Sequence, residues 1–397
     1  MYLLVLNLFY STNFATKVII YFEICKKCRI FAQKYTICHM KNTFLSLTLF
    51  IAMLGLTAHT SANPVFPKDS ADLAIMNAIA DTIMPGAVLC VVENGEISYL
   101  KAYGNRAVCP EVEAMTTNTI FDLASVSKPL GAGTAALLLC AEGKLNVNDL
   151  VCKYLPQYHA DVQIRHLMTH YSGLPAYMVA KRLEKIYLES PVHDSISIQD
   201  FLLDTIARCK RPSAVGEKYR YSCLNFISLQ RVVEAIVQQD IYSYLRQGHY
   251  NTLNLPTIGW LPDDSLHYRI APTECLEDGC LRGIVHDPLA QIMMKGVSGN
   301  AGLFASAEEV AQWAIWFMNL PVETRLNGCN AGLWTDSVTT SMGTLTPSCR
   351  HTGYTGTSVT ILPEAKRAII LLTNRVHPKD EHSLTALRRI LNKYLTP

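Results

Sequence analysis

β-rich runs occur in pairs near both ends of the chain, and the pair at the far end is apolar. Ala87–Val92 and Ile97–Tyr103 flank Glu93-Asn94-Gly95-Glu96, and Asn-Gly between two such runs marks a hairpin. Thr357–Leu362 and Ala368–Thr373 flank Pro363–Arg367 in the same way. Elsewhere the helical period dominates. Ser70–Thr82 (SADLAIMNAIADT) has helical spacing of apolar residues behind Ser70 as N-cap, and Pro85-Gly86 ends it. Similar spacing predicts helices over 130–142, 197–209, 224–238, 307–319 and 381–394. Ser197 and Asp200 resemble a capping box. Strands at both ends with helices between them predict an α/β (α+β) chain. Its antiparallel sheet is built from both termini and flanked by terminal helices, with a helical lobe inserted. A site is expected in the cleft between the two lobes.

The first 62 residues follow another pattern. Met40-Lys41 precedes an apolar run, Phe44–Leu56, too short to span a bilayer, and Thr60-Ser61-Ala62 offers a small-residue cleavage site. Residues 40–62 therefore read as a signal peptide and 63–397 as the mature domain, periplasmic or secreted, with no stable membrane anchor after signal removal. Residues 1–39 read as an N-terminal extension from a misassigned start, with Met40 the true start. Cys25-Lys26-Lys27-Cys28 lies there without the second pair that a metal or redox motif needs. The ten cysteines from Cys90 to Cys349 show no framework spacing and read mostly as small buried hydrophobes.

Composition excludes some classes. The chain is 49% hydrophobic and 17% charged, which rules out a disordered tail, a collagen-like repeat and a long coiled coil. A net charge of +2 gives no basic field for nucleic acid.

Three short motifs carry candidate chemistry. Ser125-Val126-Ser127-Lys128 opens a helix, so one turn puts Ser125 and Lys128 on the same face. A serine hydroxyl needs a base to become a nucleophile, and a lysine of lowered pKa can serve. Tyr221-Ser222-Cys223 offers a phenol that can act as acid or base beside cations. His351-Thr352-Gly353, before Tyr354, is a Gly-rich start to an edge strand. Such a strand lets substrate approach the backbone, whose N–H groups can help form an oxyanion hole.

In this order, the motifs resemble those of the serine β-lactamase and penicillin-binding protein superfamily, in its class C β-lactamase-like branch. The similarity extends over nearly all of 63–397. It includes PGAVLCVVENGEISYLKAYG (85–104), IRHLMTHYSGLP (164–175), GVSGNAGLFASAEEVAQWA (296–314) and LLTNRVHP (371–378). The resemblance implies a β-lactamase/transpeptidase-like fold and an acyl-enzyme on Ser125, with Lys128 its proton partner and Tyr221 the second acid/base. It also implies an oxyanion hole from the backbone N–H groups of Ser125 and Tyr354, with His351, Thr352 and Gly353 along the cleft. No metal or cofactor is implied. Whether Lys128 or Tyr221 is the acylation base stays open at this level.

Two residues depart from the pattern. Many members carry Lys where His351 stands. Cys223 occupies the place of an Asn or Asp that holds the substrate's amide, and a thiol is a weak hydrogen-bonding group. Efficient β-lactam hydrolysis is therefore not expected, whereas ester and peptide cleavage are less affected. The expected substrate is a D-alanyl peptide, in peptidoglycan or as a related small acyl donor. A carboxylesterase, a weak β-lactamase and a non-catalytic penicillin-recognising protein are the alternatives.

Four patterns are set aside. Gly131-Ala132-Gly133-Thr134-Ala135-Ala136 matches a nucleotide-binding fingerprint but lies inside a predicted helix. His166 and His170 have zinc-ligand spacing without the adjoining Glu, so they read as capped or buried histidines. Gly296-Val297-Ser298-Gly299-Asn300 lacks the last glycine of a nucleophile elbow. Arg282, His286 and Asp287 read as rim or structural residues.

Overall fold

The computed structural model describes residues 66–158, 161–277, 279–339 and 345–395. The extension expected over 1–39, the signal peptide expected over 40–62 and the Cys25/Cys28 pair lie outside these residues.

Among the described residues, eleven strands run in chain order: β1 Gly86–Glu93, β2 Glu96–Ala107, β3 Glu113–Ala114, β4 Ile120–Asp122, β5 Cys275–Leu276, β6 Gly279–Cys280, β7 Phe304–Ser306, β8 Trp334–Thr339, β9 Leu345–Thr352, β10 Ser358–Leu362 and β11 Arg367–Thr373. Seven of them make one antiparallel sheet, ordered β3-β2-β1-β11-β10-β9-β8. The N-terminal hairpin thus joins the C-terminal strands in the middle of the sheet, with Val88 opposite Leu372 and Cys90 opposite Ile370. At the hairpin, Asn94 and the residue after it both take left-handed φ (56° and 80°), as a two-residue turn demands.

Both faces of these central strands are buried, which is why they read as continuous apolar runs. Val88, Cys90 and Val92 point into one core, and Ala87, Leu89 and Val91 into the other. Among the described residues, seven helices have eight or more residues: α1 Lys68–Ala80, α2 Thr134–Ala141, α3 Ala180–Glu189, α4 Ile198–Arg208, α5 Cys223–Val237, α6 Ala307–Asn319 and α7 Thr385–Lys393. Terminal helices α1 and α7 cover one face, with Ile75, Leu387 and Leu391 in the same core as Leu89 and Leu371. On the other face Val310, Trp313 and Phe317 of α6 join the larger core, which continues into the helical lobe. Antiparallel β4 and β7 hold Phe121 opposite Ala305 and lead directly to Ser125.

Three expected boundaries shift. Helix α1 starts at Lys68 behind Pro67, and the exposed Ser70 caps nothing. Helix α7 starts at Thr385 rather than 381, because Asp380 is engaged with Arg375 and Tyr354. The helix expected over 130–142 is a π turn, Pro129–Gly133, followed by α2. Pro129 has no N–H to return to the preceding turn, and Thr134 Oγ1 instead donates to Pro129 O at 2.7 Å. Ser197 does cap α4, accepting from Asp200 N–H at 3.1 Å. The stretch Ala124–Ala141 is long and apolar enough to cross a membrane, but it is mostly buried as the core of the helical lobe.

The glycines of 131–136 serve packing. A Cβ on Gly133 would lie 1.9 Å from Ala331 O. Gly133→Ala is therefore expected to destabilise the fold by at least about 1–3 kcal/mol, the usual cost of overpacking. Urea unfolding measures this, and an unchanged midpoint would refute it.

Candidate active site

The site begins with a strained turn. Asp122, at the end of β4, is buried. Its carboxylate accepts from Ala124 N–H at 2.8 Å and His286 N–H at 2.7 Å. Burial nonetheless pushes its pKa above the ordinary carboxylate value. Ala124 has a left-handed φ of 46°, a conformation that persists only when surroundings enforce it. Those surroundings come from both lobes. Thr355 Oγ1 donates to Asp122 O and Thr357 Oγ1 to Leu123 O, each at 2.8 Å. Leu123 N–H donates to Leu303 O at 2.9 Å, and Leu303 N–H donates to Ser127 Oγ at 3.0 Å. Gly353 explains the close fit, since a Cβ there would meet Thr357 Oγ1 at 2.1 Å and Leu123 O at 2.5 Å. The glycine of His351-Thr352-Gly353 thus admits the Ser125 turn, in addition to any room it gives substrate.

Lys128 is fully buried. Its Nζ donates to Ser125 Oγ at 2.9 Å and to Asn300 O at 2.8 Å, and contacts Cys223 Sγ at 3.7 Å. The Tyr221 ring centre lies 5.1 Å from Nζ, and its hydroxyl interacts with both Lys128 and Ser125. Burial opposes the Lys128 charge, but Cys223, Tyr221 and Asp287 outweigh it and hold the pKa above the ordinary lysine value. Burial pushes the Tyr221 phenol up, with Lys128 pulling the other way. At rest the pair is ammonium plus phenol.

His170 positions Tyr221. It accepts Ser222 N–H on Nδ1 (3.2 Å), and its carbonyl accepts Arg220 N–H (2.9 Å), so it holds the peptides on either side. Its ring sits 4.6 Å from that of Tyr221. Burial, then Lys128, lowers its pKa to about 3. The other member of the set-aside pair, His166, caps a short helix, its Nδ1 accepting Gln163 N–H at 3.1 Å. His351 is also buried and neutral. It stacks on Trp334 at 4.4 Å, donates Nδ1–H to Thr352 O at 3.0 Å, and is kept well below the usual histidine pKa by burial, Lys128 and His170.

A cleft of about 610 Å³ opens over Ser125, lined among others by Tyr221, Trp334, Thr352, Gly353, Tyr354 and Arg388. His351 and Cys223 are not on its surface. His351 lies behind it, and the Cys223 sulfur is turned to Lys128. The Tyr354 side chain is exposed, stacks on His286 at 5.7 Å and bonds Asp380 through its hydroxyl. Gly353 N–H donates to Thr357 O at 2.7 Å, whereas Tyr354 N–H has no hydrogen-bond partner among the described residues. Arg388 is half-buried on the cleft wall. It donates to Thr357 O (3.0 Å) and Gly353 O (3.3 Å) and pairs with no carboxylate among the described residues. Burial, then Arg375, lowers its pKa to about 10.

Sequence reasoning missed Asp122, Thr355, Thr357, Asn300, Trp334 and Arg388. Asn300 does fall in the segment 296–300, which forms no nucleophile elbow but supplies a carbonyl to Lys128. Arg282 pairs with Glu113, and His286 supports Asp122 and Tyr354.

The fold and site define a serine hydrolase with its candidate nucleophile between an antiparallel sheet and a helical lobe. The chain belongs to the Beta-lactamase family, whose model matches residues 72–393. This agrees with the resemblance read from the motifs. A protein of Escherichia coli O157:H7, provisionally named D-alanyl-D-alanine carboxypeptidase, is 27% identical over 85% of this chain and 92% of its own length. An N-acetylmuramyl-L-alanine amidase of Bacillus subtilis (strain 168) is 28% identical over 74% of this chain and 78% of its own. A solved β-lactamase/D-alanine carboxypeptidase from Pseudomonas syringae superposes with a TM-score of 0.64 at 15% identity, covering 83% of this chain and 98% of that one.

Two outcomes follow from the site's geometry. Gly353→Ala is expected to shift the Ser125 turn and lower kcat/KM by about 10²-fold, as ångström-scale misplacement does. Steady-state kinetics on correctly folded protein checks this, and wild-type turnover would refute it. His170 and His249 have folded pKa values of about 3 and about 4, below the ordinary 6.5. Between 6.5 and those values the unfolded chain binds protons that the folded chain refuses, so this contribution to stability is lost as pH falls through that window. The urea midpoint should drop from pH 7 to pH 4. A flat profile would contradict the assignment.

Proposed function

We propose that the chain hydrolyses D-alanyl peptides through an acyl-enzyme on Ser125, acting on peptidoglycan or small peptides derived from it. The supporting observation is the fully buried Lys128, whose Nζ is shared between Ser125 Oγ and Asn300 O. Lys128 and Tyr221 act as one coupled acid/base. When the pair has lost one proton, it accepts the Ser125 proton as Oγ attacks the carbonyl. Tyr221 then protonates the leaving amine and, in the second half, the pair activates water. The N–H groups of Ser125 and Tyr354 receive the developing oxyanion. Arg388 supplies a cation for the terminal carboxylate of the peptide, a role that neutral His351 does not fill. No cofactor enters the scheme. The pattern at 40–62 supports action outside the cytoplasm, in the periplasm or after secretion.

The name of the Escherichia coli relative supports a carboxypeptidase. Cys223 favours a second reading, a carboxylesterase with weak β-lactamase activity, because its sulfur offers little to a substrate amide.

The test uses residues 63–397 and their variants. The readouts are D-alanine release from a D-alanyl-D-alanine peptide, short-chain ester turnover, and intact mass with benzylpenicillin. Ser125→Ala and Lys128→Ala should cut D-alanine release by at least about 10³-fold, and Tyr221→Phe by about 10²–10⁴-fold. Arg388→Ala should raise KM for the peptide and spare the neutral ester. Cys223→Asn should increase β-lactam turnover. Ester turnover without peptide cleavage would move the chain to the esterases. A stable penicillin adduct with neither activity would make it a binding protein.

A further inference from the structure

The sulfur atoms of Cys109, Cys275 and Cys280 lie within 4.8 Å of one another. Cys109 is on the connection between β2 and β3, whereas Cys275 and Cys280 face each other across the β5–β6 hairpin. Cys275 and Cys280 form a disulfide, Cys280 Sγ lies 3.5 Å from Cys109 O, and Cys109 is an exposed free thiol. The surroundings hold these segments together. Cys275 N–H donates to Pro378 O at 2.9 Å and Val108 N–H donates to His377 Nε2 at 3.0 Å.

His377 Nδ1 is only 3.5 Å from Cys275 Sγ, yet it is not a free ligand. Val108 N–H can only donate, so Nε2 must accept. The ring proton is therefore on Nδ1, where it donates to Thr273 O at 2.9 Å. His377 organises the cluster, and the donor set is three sulfurs.

A disulfide closing five residues of one hairpin constrains the chain little, because stabilisation grows with loop length. Nor does such a staple need a third thiol beside it. We propose that this cluster is a redox-gated site for one soft d10 cation of the zinc or cuprous class. Reduction converts the disulfide into two cysteine thiols. Two thiols of a reductant supply two electrons and two protons and leave as their own disulfide; a phosphine supplies the two electrons and takes the oxygen of one water, whose two protons pass to the cysteine sulfurs. Cation binding then displaces the thiol protons and forms three metal–sulfur bonds. An all-sulfur donor set selects soft or borderline ions over magnesium and calcium. Among the described residues no fourth protein ligand joins the cluster and Cys109 is exposed, so on this proposal solvent completes the coordination and the ion is exchangeable. The site stands apart from the Ser125 chemistry and does not depend on the proposed reaction.

The test takes the full chain, oxidised or phosphine-reduced and desalted without oxygen, and titrates it with Cd²⁺ and Zn²⁺. Ultraviolet cadmium–thiolate absorption and thiol alkylation followed by peptide mass mapping are the readouts. The reduced protein should bind one equivalent that protects Cys109, Cys275 and Cys280 from alkylation, and the oxidised protein none there. Cys109→Ser leaves the hairpin intact and should weaken binding by at least about tenfold, since even outer-shell losses cost that much. The triple serine variant sets the background from the other thiols. Binding no greater than that background, or unchanged in Cys109→Ser, would overturn the proposal.

Discussion

Everything around the site answers to one buried charge. The Lys128 ammonium sits at the base of the helical lobe with no solvent exposure, where an unpaired cation would cost several kcal/mol. Ser125 Oγ, the Asn300 carbonyl and the Cys223 sulfur are its close neighbours, and the Tyr221 ring covers it. The same charge acts outward. It helps keep His351 and His170 neutral and opposes the burial that raises Tyr221. Ionisation at one position is therefore coupled to that at the others, and the cluster behaves as a unit.

Such a charge needs a rigid frame, and the frame is mostly side chains bonded to backbone groups. Leu303 and Asp122 lock the Ser125 turn from the helical side, and Thr355 and Thr357 lock it from the sheet. The sheet side depends on the absence of a side chain at 353. His170 performs the same service for Tyr221 by bonding the peptides before and after it. Alignment of Ser125, Lys128 and Tyr221 is thus set by groups that never enter the cleft.

This division explains what could be read from the sequence. Strands β1, β10 and β11 are buried on both faces and were visible as β-rich runs, the half-exposed β2 was marked by the Asn-Gly hairpin signal, and their antiparallel assembly followed. Ser125, Lys128 and Tyr221 stood out because their chemistry resides in side chains at recognisable spacings. Asn300 did not, because its contribution to Lys128 is a carbonyl that every residue possesses. Arg388 falls inside the helix predicted over 381–394, and only the fold, which lays α7 along the cleft, marks it out. His351 was expected on the cleft floor, but stacking on Trp334 keeps it behind Thr352. The cysteines from Cys90 to Cys349 were read mostly as small buried hydrophobes, yet among the free ones in the described residues only Cys90 and Cys349 are buried. Cys109 meets the Cys275–Cys280 hairpin from a distant loop, and that approach no linear spacing encodes.

Replacing the family's frequent Lys by His351 changes the electrostatics in a definite direction. A second ammonium near Lys128 would repel the first and make its proton easier to lose. Neutral His351 adds no such repulsion to Lys128, whose pKa Cys223, Tyr221 and Asp287 hold up against burial. On the proposed reaction this makes the deprotonated form of the Lys128–Tyr221 pair scarcer at neutral pH. On the same proposal the cation for substrate is Arg388, which lies farther out on the cleft wall. From there it can attract a carboxylate without disturbing the proton balance beside Ser125. The arrangement separates substrate recognition from base strength, and that suits an anionic peptide better than a neutral ester.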